Sequence, residues 1–223
     1  DTALSNVLSG GNYNVAIGSA AGDAIQNGDS NIGIGLNALG ATIDSSENIA
    51  IGTNALLGNI SGSSNVGIGT YALNSNTASY NTAVGYQAGY TNSSGANQTF
   101  LGYQAGKLAT GGDNTTLGFR AGGTIGSGSG NTVAGSDALL ENSTGSTNSA
   151  FGFEAQKFAT GSYNVAFGSQ SMKGSTTATT GVSNAAVGHQ TLLSLTSGNY
   201  NSVLGTQAGY SLSTQSSSVM VGF

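Results

Sequence analysis

The chain of 223 residues has no Cys, no Pro, no Trp and a single His, and it carries few charges: 4 Lys+Arg and 9 Asp+Glu. Each absence removes a class of explanation. Without Cys there is no disulfide framework, no thiolate metal site and no thiol nucleophile. With only His189, an intrachain zinc site built from several His ligands is excluded. Four cations against a net charge of −5 cannot form the basic stripe that nucleic acid or an anionic lipid surface requires, so neither is an expected partner. No run approaches the roughly 18 apolar residues of a membrane span, and no membrane insertion is expected in this segment. Charged residues make up 6% of the chain, against about a quarter in ordinary soluble domains, so the surface must be built from Ser, Thr, Asn, Gln and Gly. The chain is nevertheless not of the disordered type, because 37% of it is hydrophobic and Pro is absent.

What is present is a repeat. Pentads such as Asn14 to Gly18, Asn31 to Gly35 and Asn48 to Gly52 recur, with anchor glycines at Gly18, Gly35, Gly52, Gly69, Gly85, Gly102, Gly118, Gly135, Gly152, Gly168, Gly188, Gly205 and Gly222. These 13 anchors span 204 residues in 12 steps, a mean period of 17. So short a period cannot hold a helix pair of about 33 residues or a propeller blade of about 40. It suits one coil of an all-β, parallel β-solenoid, here read as a single repeat domain over residues 1–223. The chain begins and ends within a repeat, with Ala3-Leu4 in the phase of Ala38-Leu39, and is therefore expected to be an excerpt of a longer fibre protein.

Numbering each pentad from its Asn assigns roles. Position one is Asn in 11 of 13 copies: Asn14, Asn31, Asn48, Asn65, Asn81, Asn114, Asn131, Asn148, Asn164, Asn184 and Asn201, with Gln98 and Ser218 as replacements. Stacked coils place equivalent residues about 4.8 Å apart, the spacing at which side-chain amides form a hydrogen-bonded ladder. Position four is apolar in every copy and is expected to face the interior of the coil. Position three points the other way and is also nearly always apolar; Ala16, Ala50, Ala83, Phe100, Val133, Ala150, Ala166 and Val203 are therefore expected to form a face between chains. Three residues past the anchor, a recurrent Ala marks an expected second short strand. Segments such as Asn59 to Ser64 and Asn92 to Gly95 are expected to be exposed return loops.

Runs such as Asn81-Thr82-Ala83-Val84-Gly85-Tyr86-Gln87-Ala88-Gly89-Tyr90 resemble the head repeats of trimeric autotransporter adhesins, which also occur in bacteriophage tail fibres. The resemblance covers nearly the whole chain. It implies a left-handed β-roll and association of three chains about a common axis.

Candidate chemistry is sparse. Asp137 and Glu154 share a coil position one coil apart, with Arg120 one coil before. This fits an exposed ion-pair column better than the paired carboxylates of a glycan-cleaving site. Asp23, Asn27 and Asp29 offer oxygens for calcium but lack the usual repeat of such sites. An ice- or surface-binding array would need Thr in every coil, and the Thr of position two does not continue. Aromatics that follow the anchors (Tyr86, Tyr103, Phe119, Phe153) are expected to stack along the fibre. The interval from Gly168 to Gly188 is 20 residues, with Ser175 to Thr180 as a candidate contact loop. No catalytic residue, metal or cofactor is assigned. The expectation is a non-enzymatic, extracellular fibre segment, on a virion or a bacterial surface. Its partner is its own chain as a homotrimer, with a host-surface glycan or receptor as a further candidate.

Overall fold

The computed structural model describes residues 11–174 and 179–223. Asp1, Ala3-Leu4 and residues 175–178 of the long interval lie outside the described residues. The chain forms two compact units, Asp1–Asp113 and Asn114–Phe223. Each is a parallel β-solenoid of coils averaging 17 residues.

The first unit stacks β1 (Val15–Ile17), β2 (Ile32–Ile34), β3 (Ile49–Ile51), β4 (Val66–Ile68), β5 (Thr82–Val84) and β6 (Thr99–Leu101). The second stacks β7 (Thr115–Leu117), β8 (Thr132–Ala134), β9 (Ser149–Phe151), β10 (Val165–Phe167), β11 (Ala185–Val187), β12 (Ser202–Leu204) and β13 (Val219–Val221). Within each unit every strand pairs in parallel with the next, and the register matches pentad to pentad: Ala16 faces Gly33 and Ala150 faces Ala166. The strands are three residues long because positive φ interrupts the chain on both sides. The residue before each Asn is left-handed (Tyr13 φ 59, Ser64 φ 57, Tyr163 φ 62), and the anchor Gly lies near φ 130. At Gly52 a Cβ would also fall 2.7 Å from the carbonyl carbon of Gly69 in the next coil, so backbone angle and close stacking both require Gly there.

Two local expectations are corrected. The recurrent Ala does not start a second strand; it lies between two left-handed residues, as Ala38 lies between Asn37 (φ 54) and Leu39 (φ 59), and this turns the chain. The return loops are exposed only at their tips. Asn59 and Gly62 are buried, with Asn59 Nδ2 donating to the Gly62 carbonyl (2.7 Å) and Gly62 N–H donating back to Asn59 Oδ1 (3.1 Å). Asn92 with Gly95 and Asn142 with Gly145 repeat this clamp.

The faces of the strand are opposite to those expected. Position three, assigned from sequence to an inter-chain face, is enclosed by its own coil. Ala50, Ala83, Phe100, Ala150 and Ala166 have no exposed surface, Val133 and Val203 almost none, and Ala16 is half-buried. The reason is volume: the narrow interior already holds the Ala and Leu of the facing turn (Ala55 and Leu56, Ala72 and Leu73). A Cβ on Gly67 would sit 3.2 Å from Leu56 Cγ, so there is no room for Ile or Leu from the strand. The branched residues of positions two and four therefore point outward. Ile17 is 60% exposed, Phe167 58% and Leu204 51%.

Candidate functional site

Three side-chain columns organise each unit. In the first column the Asn at position one is interior, not a surface ladder. Asn48 donates its backbone N–H (3.0 Å) and its Nδ2–H (3.2 Å) to Asn31 Oδ1, and Asn65 repeats both bonds to Asn48 (3.0 and 3.1 Å). Asn31 Nδ2 also reaches the Ser45 carbonyl at 2.9 Å, tying the strand to the return turn of the next coil. The column runs Asn14, Asn31, Asn48, Asn65, Asn81 to Gln98 in the first unit. In the second it runs Asn114, Asn131, Asn148, Asn164, Asn184, Asn201 to Ser218. Each amide uses both its donor and its acceptor, so burying it costs little.

The second column lies two residues before the Asn and is invisible unless the coils are aligned. Asp29 N–H donates to Ser46 Oγ (2.9 Å), Ser46 N–H to Ser63 Oγ (3.1 Å) and Ser63 N–H to Ser79 Oγ (2.9 Å). Ser129, Ser146 and Ser162 repeat it in the second unit.

The third column lies two residues past the anchor, always with positive φ. In the first unit it is neutral: Asn37 donates to Asn54 (3.0 Å) and Gln104 to Gln87 (2.9 Å). In the second it is partly ionic. Arg120 grips Asp137 with two bonds of 2.8 and 2.7 Å, and Glu154 receives Lys157 and Lys173 at 2.7 Å each and Gln170 at 2.9 Å. Asp137 and Glu154 are each only 8% exposed, whereas the Arg120 side chain is 40% exposed, so the carboxylates are buried while their cations reach solvent, unlike the wholly exposed column expected from sequence. Burial pushes the Glu154 carboxyl up, but hydrogen bonds from Lys157, Lys173 and Gln170 outweigh it and hold the pKa down at about 2. A general acid for glycoside cleavage needs a raised pKa, so Glu154 is unsuited to that role.

Outside these columns, His189 is exposed. No group of three His, Cys, Asp or Glu placed to hold a metal ion occurs among the described residues. Asp29 and Asn27 are engaged with the neighbouring coil, Asn27 Nδ2 donating to Asp44 at 2.8 Å. No helix among the described residues is long and apolar enough to cross a membrane.

The aromatics are unevenly grouped. Tyr86 and Tyr103 stack with centroids 5.4 Å apart and planes 17° from parallel; Tyr71 meets Tyr86 (6.4 Å) and Tyr90 (6.0 Å) edge-on. Tyr71 and Tyr90 escape a search limited to the residue after the anchor. In the second unit, the Arg120 guanidinium lies 4.9 Å from the Phe119 ring centroid, and Phe151 and Phe167 pack on the outward face at 5.6 Å. Of the expected interval loop, Thr179 is buried and bridged to Ala159, with its hydroxyl donating to the Leu195 carbonyl at 2.9 Å; Thr180 is exposed.

No protein-family model, curated protein or solved structure matches the chain.

Proposed function

We propose that this chain is a structural segment of an extracellular fibre, on a bacteriophage or a bacterial surface, that assembles as a homotrimer and serves attachment. The observation that carries the reading is an outward apolar stripe within each unit, built on position four (Ile17, Ile34 and Leu101 in the first; Phe151, Phe167 and Leu204 in the second) and widened by Val15 and Ile32 at position two of the first coils. Soluble monomers rarely leave a contiguous apolar patch of more than a few hundred Å² open to water. Two further copies presenting the same stripe cover it, as the resemblance to trimeric adhesin heads, with their left-handed β-roll, implies. The reading is non-enzymatic: the buried amides of the Asn column and the two most buried carboxylates, Asp137 and Glu154, are engaged in holding coil to coil.

The test is light scattering, which should return three times the 21.8 kDa chain mass. Phe167→Lys together with Leu101→Lys should yield a folded monomer with an unchanged circular dichroism spectrum. Ala83→Lys, on the buried face, should instead abolish folding. A wild-type monomer in solution would sink the trimer.

A further inference from the structure

We infer that the tyrosine cluster of the first unit is a binding site for a saccharide bearing a carboxylate. The inference deepens the attachment reading by naming a ligand class. It rests on three observations. Tyr71, Tyr86, Tyr90 and Tyr103 form the largest connected group of rings among the described residues, and Tyr86 and Tyr103 remain 41% and 44% exposed. Self-stabilising stacking explains the contact between the rings but not the concentration of phenols at one place on the coil. The amides of Gln87 and Gln104 flank the stacked pair in the adjoining column, half-buried and joined to each other by one bond of 2.9 Å, so each retains further donor or acceptor capacity. Lys107, the only cation in the first unit, occupies the position of Tyr90 one coil on, as the bond from Thr91 N–H to the Lys107 carbonyl (3.0 Å) records. Among the described residues its ammonium makes no ion pair, whereas Arg120, Lys157 and Lys173 are all committed to carboxylates.

The chemistry of the patch selects among ligands. Tyrosine supplies wide, rigid contact area with a polar tip at low entropic cost, and neighbouring amides supply adaptable hydrogen bonds. A nucleic acid needs many cations and finds one. A peptide strand needs an open sheet edge, and an amphipathic helix needs an apolar groove; the patch has neither. A sugar ring offers an apolar face for the phenol, hydroxyls for the amides and, if it is a uronic acid, one negative charge for Lys107.

The probe is a tetrasaccharide of alternating glucuronate and N-acetylglucosamine, titrated against the whole chain and compared with the same tetrasaccharide after reduction of its carboxylates to alcohols. Binding is read by saturation-transfer NMR and by tyrosine fluorescence. The acidic form should bind, and Lys107→Ala should weaken it about tenfold while leaving the reduced form unaffected. Tyr86→Ser and Tyr103→Ser should abolish binding of both forms. They should fold, because Ser136 and Ser169 already occupy the equivalent position in other coils. No binding of either form overturns the proposal, and so does equal binding of the two forms by the wild-type chain and Lys107→Ala. Light scattering on the same samples separates the two readings: a monomer that binds the acidic sugar refutes the trimer alone, and a trimer that ignores it refutes the site alone.

Discussion

The units of residues 1–113 and 114–223 wind the same kind of coil, each on its own Asn and Gly columns, yet they fill it differently. In the first, interior volume is traded between apolar partners. Coils with Gly33, Ala50 or Gly67 in the strand carry Leu39, Leu56 or Leu73 in the facing turn, and the coil with Phe100 has Gly89 and Gly106 beside it. A Cβ on Gly89 would lie 2.6 Å from Phe100 Cδ2 and 2.9 Å from Leu73 Cδ2, so the ring occupies the space that a turn Leu would need. In the second, polar groups enter the interior at Thr116, Gln156, Ser171 and Thr191, and ions enter the third column. Interior filling is thus negotiable between coils, whereas the anchor Gly and the left-handed turns recur throughout, and the Asn ladder gives way only at Gln98 and Ser218. The fold is specified by its hydrogen-bonded columns, and the core adapts to them.

The sharpest way to test that trade is to undo it. Phe100→Ala should destabilise the first unit by about 3–5 kcal/mol, the usual cost of a large core cavity. Adding Gly89→Leu should recover a substantial part, because Leu73 and Leu56 already occupy the same left-handed position in neighbouring coils. Thermal unfolding of the wild type and the single and double variants measures the coupling. Additive losses would mean that the coils do not exchange volume and that the contrast between the units is accidental.

The ionic column gives the second contrast, since only the second unit has it. A carboxyl held below its unfolded value contributes stability above pH 4.5, and that contribution is lost as pH falls toward about 2. Between those values the second unit should lose on the order of 1–2 kcal/mol, less than the full linkage value because Lys157 and Lys173 remain partly hydrated. Glu154→Gln should remove the effect. Hydrogen exchange followed separately for the two units reads this directly, and equal acid sensitivity in both would contradict it.

The period, the parallel stacking and the recurrent Asn are legible in the sequence because each is a repeated event with one physical cause. The direction of the strand faces is not. Alternation says that positions two and four oppose position three, but both sets are apolar. The decision rests on how much volume the turn residues leave inside, and that is a property of the closed coil. The same limit hid the clamp of Asn59 on Gly62, which reads locally as a polar loop. It also hid the union of Tyr71 and Tyr90 with Tyr86, which needs the coils in register.

The finest contrast is a single atom. Gln156 is fully buried in the column that holds Leu139 and Met172 in neighbouring coils; its Nε2 reaches the Ser149 carbonyl at 3.4 Å, and its Oε1 has no partner. A buried acceptor without a donor costs about 1–3 kcal/mol, and replacing the whole polar group by an apolar one of similar size removes that cost. Leu is compatible with the backbone, since Gln156 has φ 51 and Leu139 φ 46. Gln156→Leu should therefore stabilise the second unit by about 1 kcal/mol, a rise of roughly 2–4 °C in Tm. The reciprocal Leu56→Gln in the first unit should cost more than this gain, because it buries a new amide and removes a packed side chain. A fall in Tm for Gln156→Leu would contradict this and mean that Oε1 is satisfied in solution, as by an enclosed water.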